Sequence, residues 1–525
     1  MLRPTFLGFE TAKRGLTAAQ KGLDIAGQNL TNWDSDGYTR QRITQVAIAP
    51  DSYRSRYVSS RTGVAGQGVD ITGIGQVRDV FLDKRFREES GDVGYFTQSS
   101  SILGDIQAAL NEYNPKDDTG LRGCLMSMSN ALQEFSINAY SETHANIVAT
   151  EFKNLTQTLQ QISSKLQDSR SQQKYDLEIS VEEINKKLQQ VAGLNQTIME
   201  DMSVMRDNPY FGPNELLDER NLLLDELSQY MDLQYSSNPD GTVTVTVNGQ
   251  TAVSGSKFDK LEMVEDERTG VVDVRWISTN KPATLTIGSV KASLSYLNGR
   301  GPNLKNPGES TARGYFYYQD KLDAFAQTLA TVVNRIVPEV DENGEIAKDA
   351  DGNTVYRKFL GGLSSEPDAD GKYHVRDDIP ITADNLSISD KWSQDSGYII
   401  FHRNQEDVPD NVGNYAQTLM EAVTNGSQFF DSNGEEFNGS FLDYIKGYSS
   451  TLAEDVSFSD NRKIATSTIS QSLEDSRDEV SGVVVDEEVA NVMMYQKSLS
   501  AASRLMTAMD EALDVIINKT GLVGR

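Results

Sequence analysis

Two heptad stripes stand at opposite ends of this 525-residue chain, and they limit its folding more than any other feature. From Phe9, small and apolar residues recur at Ala12, Leu16, Ala19, Leu23, Ala26 and Leu30, alternately three and four positions apart. Near the other end, Val492, Tyr495, Leu499, Ala502, Met506, Met509, Leu513 and Ile516 follow the same rule. The residues between them are mostly polar, so each helix offers one narrow seam. Most helix stability comes from burying such a face against something else, so neither stripe can fold alone in water. The simplest partner is the other end of the chain, with Leu16, Leu23 and Leu30 packing on Leu499, Met506 and Leu513. Charge agrees: residues 1–30 carry a net +2 and residues 486–519 a net −3. The alternative is two separate helices, each packed on its own neighbouring domain. Asp486 is expected to cap the second helix, and Glu487 and Glu488 suit the positive end of its dipole.

The first stripe ends in "NLTNWDSDGYTRQ", residues 29–41. Its Asn, Asp and Ser side chains compete for backbone hydrogen bonds and so terminate a helix, and Gly37 permits a tight turn. Tyr38, Thr39, Arg40 and Gln41 then begin a connector leading away from the helix. The stretch reads as a joint rather than a ligand loop.

Between the ends the periodicity changes in blocks. Residues 95–235 carry long helical patterns, with Pro213 opening a further helix through "NELLDERNLLLDELS". From Ser236 the period falls to two. "GTVTVTVNGQTAV" alternates Thr and Val around an Asn-Gly turn, and "VVDVRWIS" with "ATLTIGSVKASL" extends the β reading to about residue 294. A helix follows over about 313–337 and stops at Pro338. Asp/Gly-rich turns with short β runs ("VRDDIPITA", "GYIIFHR") occupy 339–408, and helix returns over about 411–476. The expected fold class is mainly α with β-rich insertions, an α+β multidomain chain, because one core does not grow past about 250–300 residues. The expected divisions are a terminal coiled-coil region (1–60 with 480–525), a helical bundle (61–235 with 411–479) and an outer β-rich region (236–410).

Composition removes several function classes. With 49 Lys+Arg against 77 Asp+Glu, the net charge is −28, a surface that repels phosphate backbones and anionic lipid headgroups. The first 87 residues are the basic end, at +5. A single cysteine, Cys124, excludes an internal disulfide framework and reads as a small core residue of the bundle. No Sec-type signal and no apolar run of membrane-spanning length are expected.

Catalytic and metal signatures are weak. His144, His374 and His402 do not form an HExxH site, and neither a GxSxG elbow nor a Walker loop occurs. "GIGQVR" (73–78) reads as a turn. "EPDADGKYHVRD" (366–377) sets Glu366, Asp368, Asp370 and Asp377 at calcium-loop positions 1, 3, 5 and 12 with Gly371 at 6, but Pro367 and the lack of flanking helices favour a solvated acidic turn. No catalytic residue, metal or cofactor is assigned.

The end sequences carry a resemblance. "GLTAAQKGLDIAGQNLTNWDSDGYTRQ" resembles the N-terminal region of the bacterial flagellar axial proteins of rod, hook and filament, and Gly37-Tyr38-Thr39-Arg40-Gln41 is similar to the hook-filament junction members. Ser481-Gly482-Val483, Asp486-Glu487-Glu488, Ala490-Asn491 and Tyr495-Gln496 resemble the closing helix of those members, and "LLDERNLLLDELS" (216–228) resembles a helix that they have and the hook protein lacks. Ser35-Asp36-Gly37 stands where the family often has Thr-Pro-Gly, and Leu499 where an aromatic is frequent.

The resemblance implies a non-enzymatic structural protein of the extracellular flagellum. It implies a homo-oligomeric ring between the hook protein and the second junction protein, with paired terminal helices inside and middle domains outside. It also implies terminal segments that fold only on assembly, export through the flagellar type III apparatus, and a cytosolic chaperone on the C-terminal segment. The assembly residues would be Phe9, Leu16, Leu23, Leu30, Val492, Tyr495, Leu499, Met506, Met509, Leu513 and Ile516. Rival readings are the hook protein or another axial protein, a secreted adhesin acting through 236–408, and an axial protein with a hydrolase insert.

Overall fold

The computed structural model describes residues 5–48, 68–110, 120–204, 212–340, 345–367, 373–376, 378–401 and 415–519. Its helices are α1 (Thr5–Thr31), α2 (Val80–Leu110), α3 (Gly120–Ile137), α4 (Glu142–Val204), α5 (Asn214–Tyr230), α6 (Ser289–Leu297), α7 (Tyr315–Val333), α8 (Asp390–Gln394), α9 (Tyr415–Thr424), α10 (Phe441–Ser481) and α11 (Val485–Asp514). The chain is α+β, mostly helical with several small antiparallel sheets.

The spine is α4, whose 63 residues extend over roughly 95 Å at ~1.5 Å per residue. Its buried side chains Ala145, Val148, Phe152, Leu155, Leu159, Ile162 and Leu166 keep heptad spacing, and Leu177, Val181, Ile184, Leu188 and Val191 resume it. Arg170 and Gln173 occupy the intervening stripe positions. Arg170 donates to the carbonyls of Leu297 and Gly270 and lies 4.5 Å from the Phe316 ring centre, so the break in apolar character is where the outer elements attach. The helices α2, α3, α5 and α10 complete the bundle around this spine.

The strands form five small sheets among the described residues. The pair β1 (Gln41–Ala47) and β2 (Val69–Gln76) runs back along α1, with Gly68 against Thr11. The sheet of β3 (Gln234–Ser237), β4 (Val243–Val247), β5 (Gln250–Ser254) and β6 (Lys257–Phe258) buries Val243, Val245 and Val247 and leaves the alternating threonines half-covered. Asn248 and Gly249 both adopt positive φ at its hairpin turn, as the Asn-Gly signal demands. The strands β7 (Leu261–Glu265), β8 (Val272–Trp276) and β9 (Lys281–Pro282) form a second sheet. In the third, β10 (Leu360–Leu363) lies between β11 (Val375–Arg376) and β12 (Leu386–Ile388). Finally, β13 (Gln428–Ser432) and β14 (Glu435–Gly439) make a hairpin.

One polar device recurs where helices meet strands. The side-chain amide of an asparagine pairs with both backbone groups of a single strand or connector residue, mimicking a strand partner. Asn185 does this to Leu261 (2.8 and 2.8 Å), Asn195 to Val243 (2.9 and 3.0 Å), Asn298 to Val272 (2.6 and 2.8 Å) and Asn334 to Leu360 (2.7 and 3.0 Å). Each bond satisfies a backbone group that is costly to bury alone.

Several sequence expectations need correction. "ATLTIGSVKASL" is not all β: Gly288, at φ +97°, turns the chain into α6, whose Val290, Ala292 and Leu297 are buried. "GIGQVR" is not a turn, because residues 73–76 are the end of β2, paired with β1. The helical reading of 411–476 is interrupted by β13–β14. Asn433-Gly434 makes its turn at positive φ, and Phe430 stacks on Tyr444 of α10 at 4.1 Å. "GYIIFHR" is not a strand: Ser396–Ile399 is a 3-10 turn started by the Asp395 side chain, and residues 402–403 lie outside the described residues. In "VRDDIPITA" only Val375–Arg376 pairs as a strand. The helix expected over 313–337 is the shorter α7, Tyr315–Val333. Asp486 is not the cap of α11, since Val484 holds that position without a side-chain bond and Asp486 sits in the first turn.

Candidate functional site: the joint between the terminal helices and the bundle

The ends of the chain pack on each other as antiparallel helices, through a column that apolar counting passes over. A Cβ placed on Gly8 would lie 2.6 Å from Met509 Cε, one on Gly15 would lie 3.9 Å from Ala502 Cβ, and one on Gly22 would enter the Tyr495 ring. Gly8, Gly15 and Gly22 repeat every seven residues beside Ala12, Ala19 and Ala26, which are all buried. The helices therefore approach closely along a glycine-alanine face, with larger side chains supplied by α11.

This geometry revises the in-chain partners expected for the leucines. Phe9, Leu16, Leu23 and Leu30 are half-buried beside the glycine column. Leu30 lies at the end of α1 nearest the start of α11, so it cannot meet Leu513. Val492, Tyr495, Leu499, Met506, Met509 and Leu513 are half-buried, and Ile516, in a π-helical turn after α11, is 49% exposed.

The connector is where distant segments meet. Gly37, at φ +75°, sets the chain against Leu222 of α5. The buried Asn29 amide donates to Gln41 O (3.0 Å) and accepts from Gln41 N (3.0 Å) and the Tyr38 hydroxyl (2.9 Å), the same pairing that joins helices to strands elsewhere. Thr39 N donates to Asp218 Oδ2 at 3.2 Å, and Gln76 Nε2 donates to Asp218 Oδ1 at 2.8 Å and to Asn214 O at 2.9 Å. Asn214 Nδ2 donates to Gln41 Oε1 at 3.2 Å. Arg40 N donates to Ser481 O, its Nε reaches Glu488 at 2.8 Å and its Nη1 reaches Glu487 at 2.9 Å. The three stretches singled out in the sequence, 29–41, 216–228 and 481–488, therefore converge on one polar cluster.

From there, alternating charges run into the bundle. Arg78 lies 3.8 Å from Asp218 and 2.9 Å from Asp83, Arg477 of α10 lies 3.5 Å from Asp83 and 2.9 Å from Asp225, and Arg87 lies 2.6 Å from Asp225. Every charge faces its opposite. Burial pushes the Asp218 carboxyl up to about 6, against the pull of the Thr39 hydrogen bonds and Arg78. Burial also opposes the Arg78 charge, but the bond and charge of Asp83 outweigh it and hold this guanidinium above its ordinary value. Tyr38 is raised by burial and then by the carboxylates of Asp218, Glu215 and Glu488. The cluster fixes the direction in which the helix pair leaves the bundle, and it presents no nucleophile or open coordination site.

Other sequence candidates do not assemble a site among the described residues. Glu366 is exposed, while Asp368, Asp370, Gly371 and Asp377 lie outside the described residues. No group of three or more His, Cys, Asp or Glu is placed to hold a metal among the described residues. His144 Nδ1 is 2.8 Å from Ser141 Oγ at the start of α4, His374 pairs with Asp390 at 2.7 Å, and Cys124 is half-buried against the core, 3.3 Å from Thr158 Oγ1. No helix among the described residues is long and apolar enough to cross a membrane.

Comparison with known proteins matches this architecture. Residues 106–349 match the family model described as the flagellar hook-associated protein FlgK helical domain. Flagellar hook-associated protein 1 of Bacillus subtilis is 29% identical over 99% of this chain and 99% of its own length. The protein of the same name from Salmonella typhimurium is 24% identical over 97% of this chain and 98% of its own. Among solved structures, the flagellar hook junction protein FlgK from Burkholderia pseudomallei shares the fold at a TM-score of 0.54 and 13% identity, covering 76% of this chain and all of that one. Matched end to end by these relatives, and with the three stretches of the resemblance gathered at one joint, the chain is similar over its whole length to the flagellar hook-associated protein 1 of these bacteria.

Proposed function

We propose that this protein is a structural adaptor of the bacterial flagellum, assembling as a ring that joins hook to filament, without catalysis. The observation that carries this reading is the joint. A helix pair built from both chain ends is held by Arg40, Asn29 and Asp218 in a fixed direction relative to the bundle, as a subunit that adapts an inner helical layer to outer domains requires. On this reading residues 1–60 with 480–525 form the inner assembly region, 61–235 with 411–479 the bundle, and 236–410 the outward lobes. The half-buried seam residues, from Phe9 to Leu30 and from Val492 to Leu513, together with Ile516, become fully covered only between subunits. The neighbours are further copies, the hook protein and the second junction protein.

The protein reaches that place outside the cell through the flagellar type III export apparatus, its C-terminal segment held until then by a cytosolic chaperone. Terminal helices supported within the chain by each other and, on α1, by the narrow β1–β2 pair suit such a route, because they order fully only where partners wait. Removing residues 1–35 should leave a soluble, folded remainder that no longer supports filament growth. Antibody labelling of sheared flagella should place the intact protein at the hook tip. Filament growth with the truncated chain, or label confined elsewhere, would overturn the proposal.

A further inference from the structure

The in-chain seam uses one face of each terminal helix and leaves a second apolar column on each. On α1, Phe9, Leu16 and Leu23 each follow a seam glycine by one residue, about 100° round the helix, and are half-buried. On α11, Met494, Ala501 and Ala508 each precede a seam residue by one, about 100° round the other way, and all three are exposed, Met494 at 51%. In an antiparallel pair, one step forward on one helix and one step back on the other lead to opposite edges. Two unlike apolar edges facing apart cannot satisfy each other in a two-fold dimer. They associate head to tail.

The geometry points to a second copy of this chain as the occupant: the Phe9–Leu16–Leu23 edge of one subunit seats on the Met494–Ala501–Ala508 edge of the next. This rests on the ring proposed above and names its inner contact. Charge favours it, since α1 carries three cations and two carboxylates while α11 carries two cations and six carboxylates. Shape favours it as well. Within the chain, Gly8, Gly15 and Gly22 stand opposite Met509, Ala502 and Tyr495. The same register between copies sets Phe9 opposite Ala508, Leu16 opposite Ala501 and Leu23 opposite Met494, so that the aromatic ring and one leucine fall on alanine.

The test uses full-length chains in flagellated cells, with Cys124→Ser removing the native thiol. Two copies are co-expressed, one carrying Leu16→Cys and the other Ala501→Cys, so that a disulfide between them can only join two chains. Hook-filament fractions are mildly oxidised and run without reductant. The monomer band should shift to a dimer, and Leu23→Cys with Met494→Cys should behave alike if the first pair disturbs assembly. A single chain with Gly15→Cys and Ala502→Cys controls for oxidation within the seam. If the chains are in the fraction, the control closes and neither pair cross-links, the inferred contact is wrong. Leu16→Cys linking to itself would also overturn it, by showing a two-fold contact. Absence of the chains from the fraction would instead remove the proposed function, and the contact with it.

Discussion

Arg40 and Glu488 are separated by 448 positions in the chain, yet Arg40 Nε donates to Glu488 Oε1 at 2.8 Å. The Glu488 side chain is 3% exposed, and the guanidinium on one oxygen, with Asn491 Nδ2 at 3.4 Å from the other, offsets the cost of burying its charge. The backbone of Arg40 also binds both sides of the joint, donating to Ser481 O and accepting from Val77 N at 2.9 Å. One residue thus ties the connector, the end of α10 and the start of α11.

Arg40→Ala should strand the Glu488 carboxylate and loosen the start of α11, at a cost of roughly 1.5–3 kcal/mol for a charged hydrogen bond lost in a covered site. Hydrogen exchange should show faster exchange in the first turns of α11 with the α4 core unchanged. Arg40→Glu combined with Glu488→Arg should recover part of the protection. Unchanged exchange at α11 in the single variant would show that the pair is not structural.

The glycine column makes a prediction with two signs. Gly15→Ala places its methyl at ordinary contact distance, 3.9 Å from Ala502, and gains helix propensity of up to about 1 kcal/mol, so it should be neutral or stabilising. Gly22→Ala drives a methyl into the Tyr495 ring and should cost about 1–3 kcal/mol by overpacking. Tyr495→Ala should relieve that clash in the double variant. Thermal unfolding of the four proteins measures the order, and equal effects at Gly15 and Gly22 would contradict the close approach.

Asp218 makes stability at the joint depend on pH. Its carboxyl is raised from 3.8 to about 6 in the folded chain, so the folded state binds this proton more tightly than the unfolded state does. Its contribution is fully present below about pH 4 and is lost as pH rises through 6. Asp218→Asn removes this titration while keeping one of the two acceptors used by Thr39 and Gln76. The stability of wild type relative to the variant should therefore fall between pH 4 and 6.5 and level off above that. Denaturant unfolding of both proteins across this range reads the difference, and a flat difference would refute the shift.

Much of the architecture was legible because it is written in period. The α4 stripe, the Thr-Val alternation of β4 and the two terminal heptads are read directly from spacing, since burial on one face of a helix or strand imposes it. The glycine column was not legible, because glycine enters no apolar count. Its only signal is the recurrence of Gly8, Gly15 and Gly22 at seven-residue intervals. The short helix α6 begins with Ser289-Val290, which reads equally as strand, and its start depends on the turn at Gly288. Asn433-Gly434 carried the same hairpin signal as Asn248-Gly249, but the helical patterns on either side masked it. At the joint, the family stretches could be recognised singly. Their meeting could not be foreseen, because Asp218, Arg40 and Glu488 are ordinary surface residue types until the fold encloses them.

Asn29 tests whether the asparagine device carries the joint. Its amide must both give and accept, because Gln41 offers an N–H and a carbonyl at once and Tyr38 adds a further donor. Asn29→Ala leaves these groups without partners at a site where Asn29 is 1% exposed, at a cost of roughly 1–3 kcal/mol for each group that water cannot reach. Asn29→Asp keeps the acceptor and loses the donor, turning a carboxylate oxygen toward the Gln41 carbonyl, so it should be no better than alanine despite its shape. Asn195→Ala removes the same pairing at Val243, far along α4, and supplies the comparison. It should loosen β4 and leave the terminal pair unchanged, whereas both Asn29 variants should raise exchange in β1 and α1 and leave β4 protected. If Asn29→Asp matched wild type in exchange and unfolding, donation to Gln41 would be dispensable, and the joint would rest on its ion pairs alone.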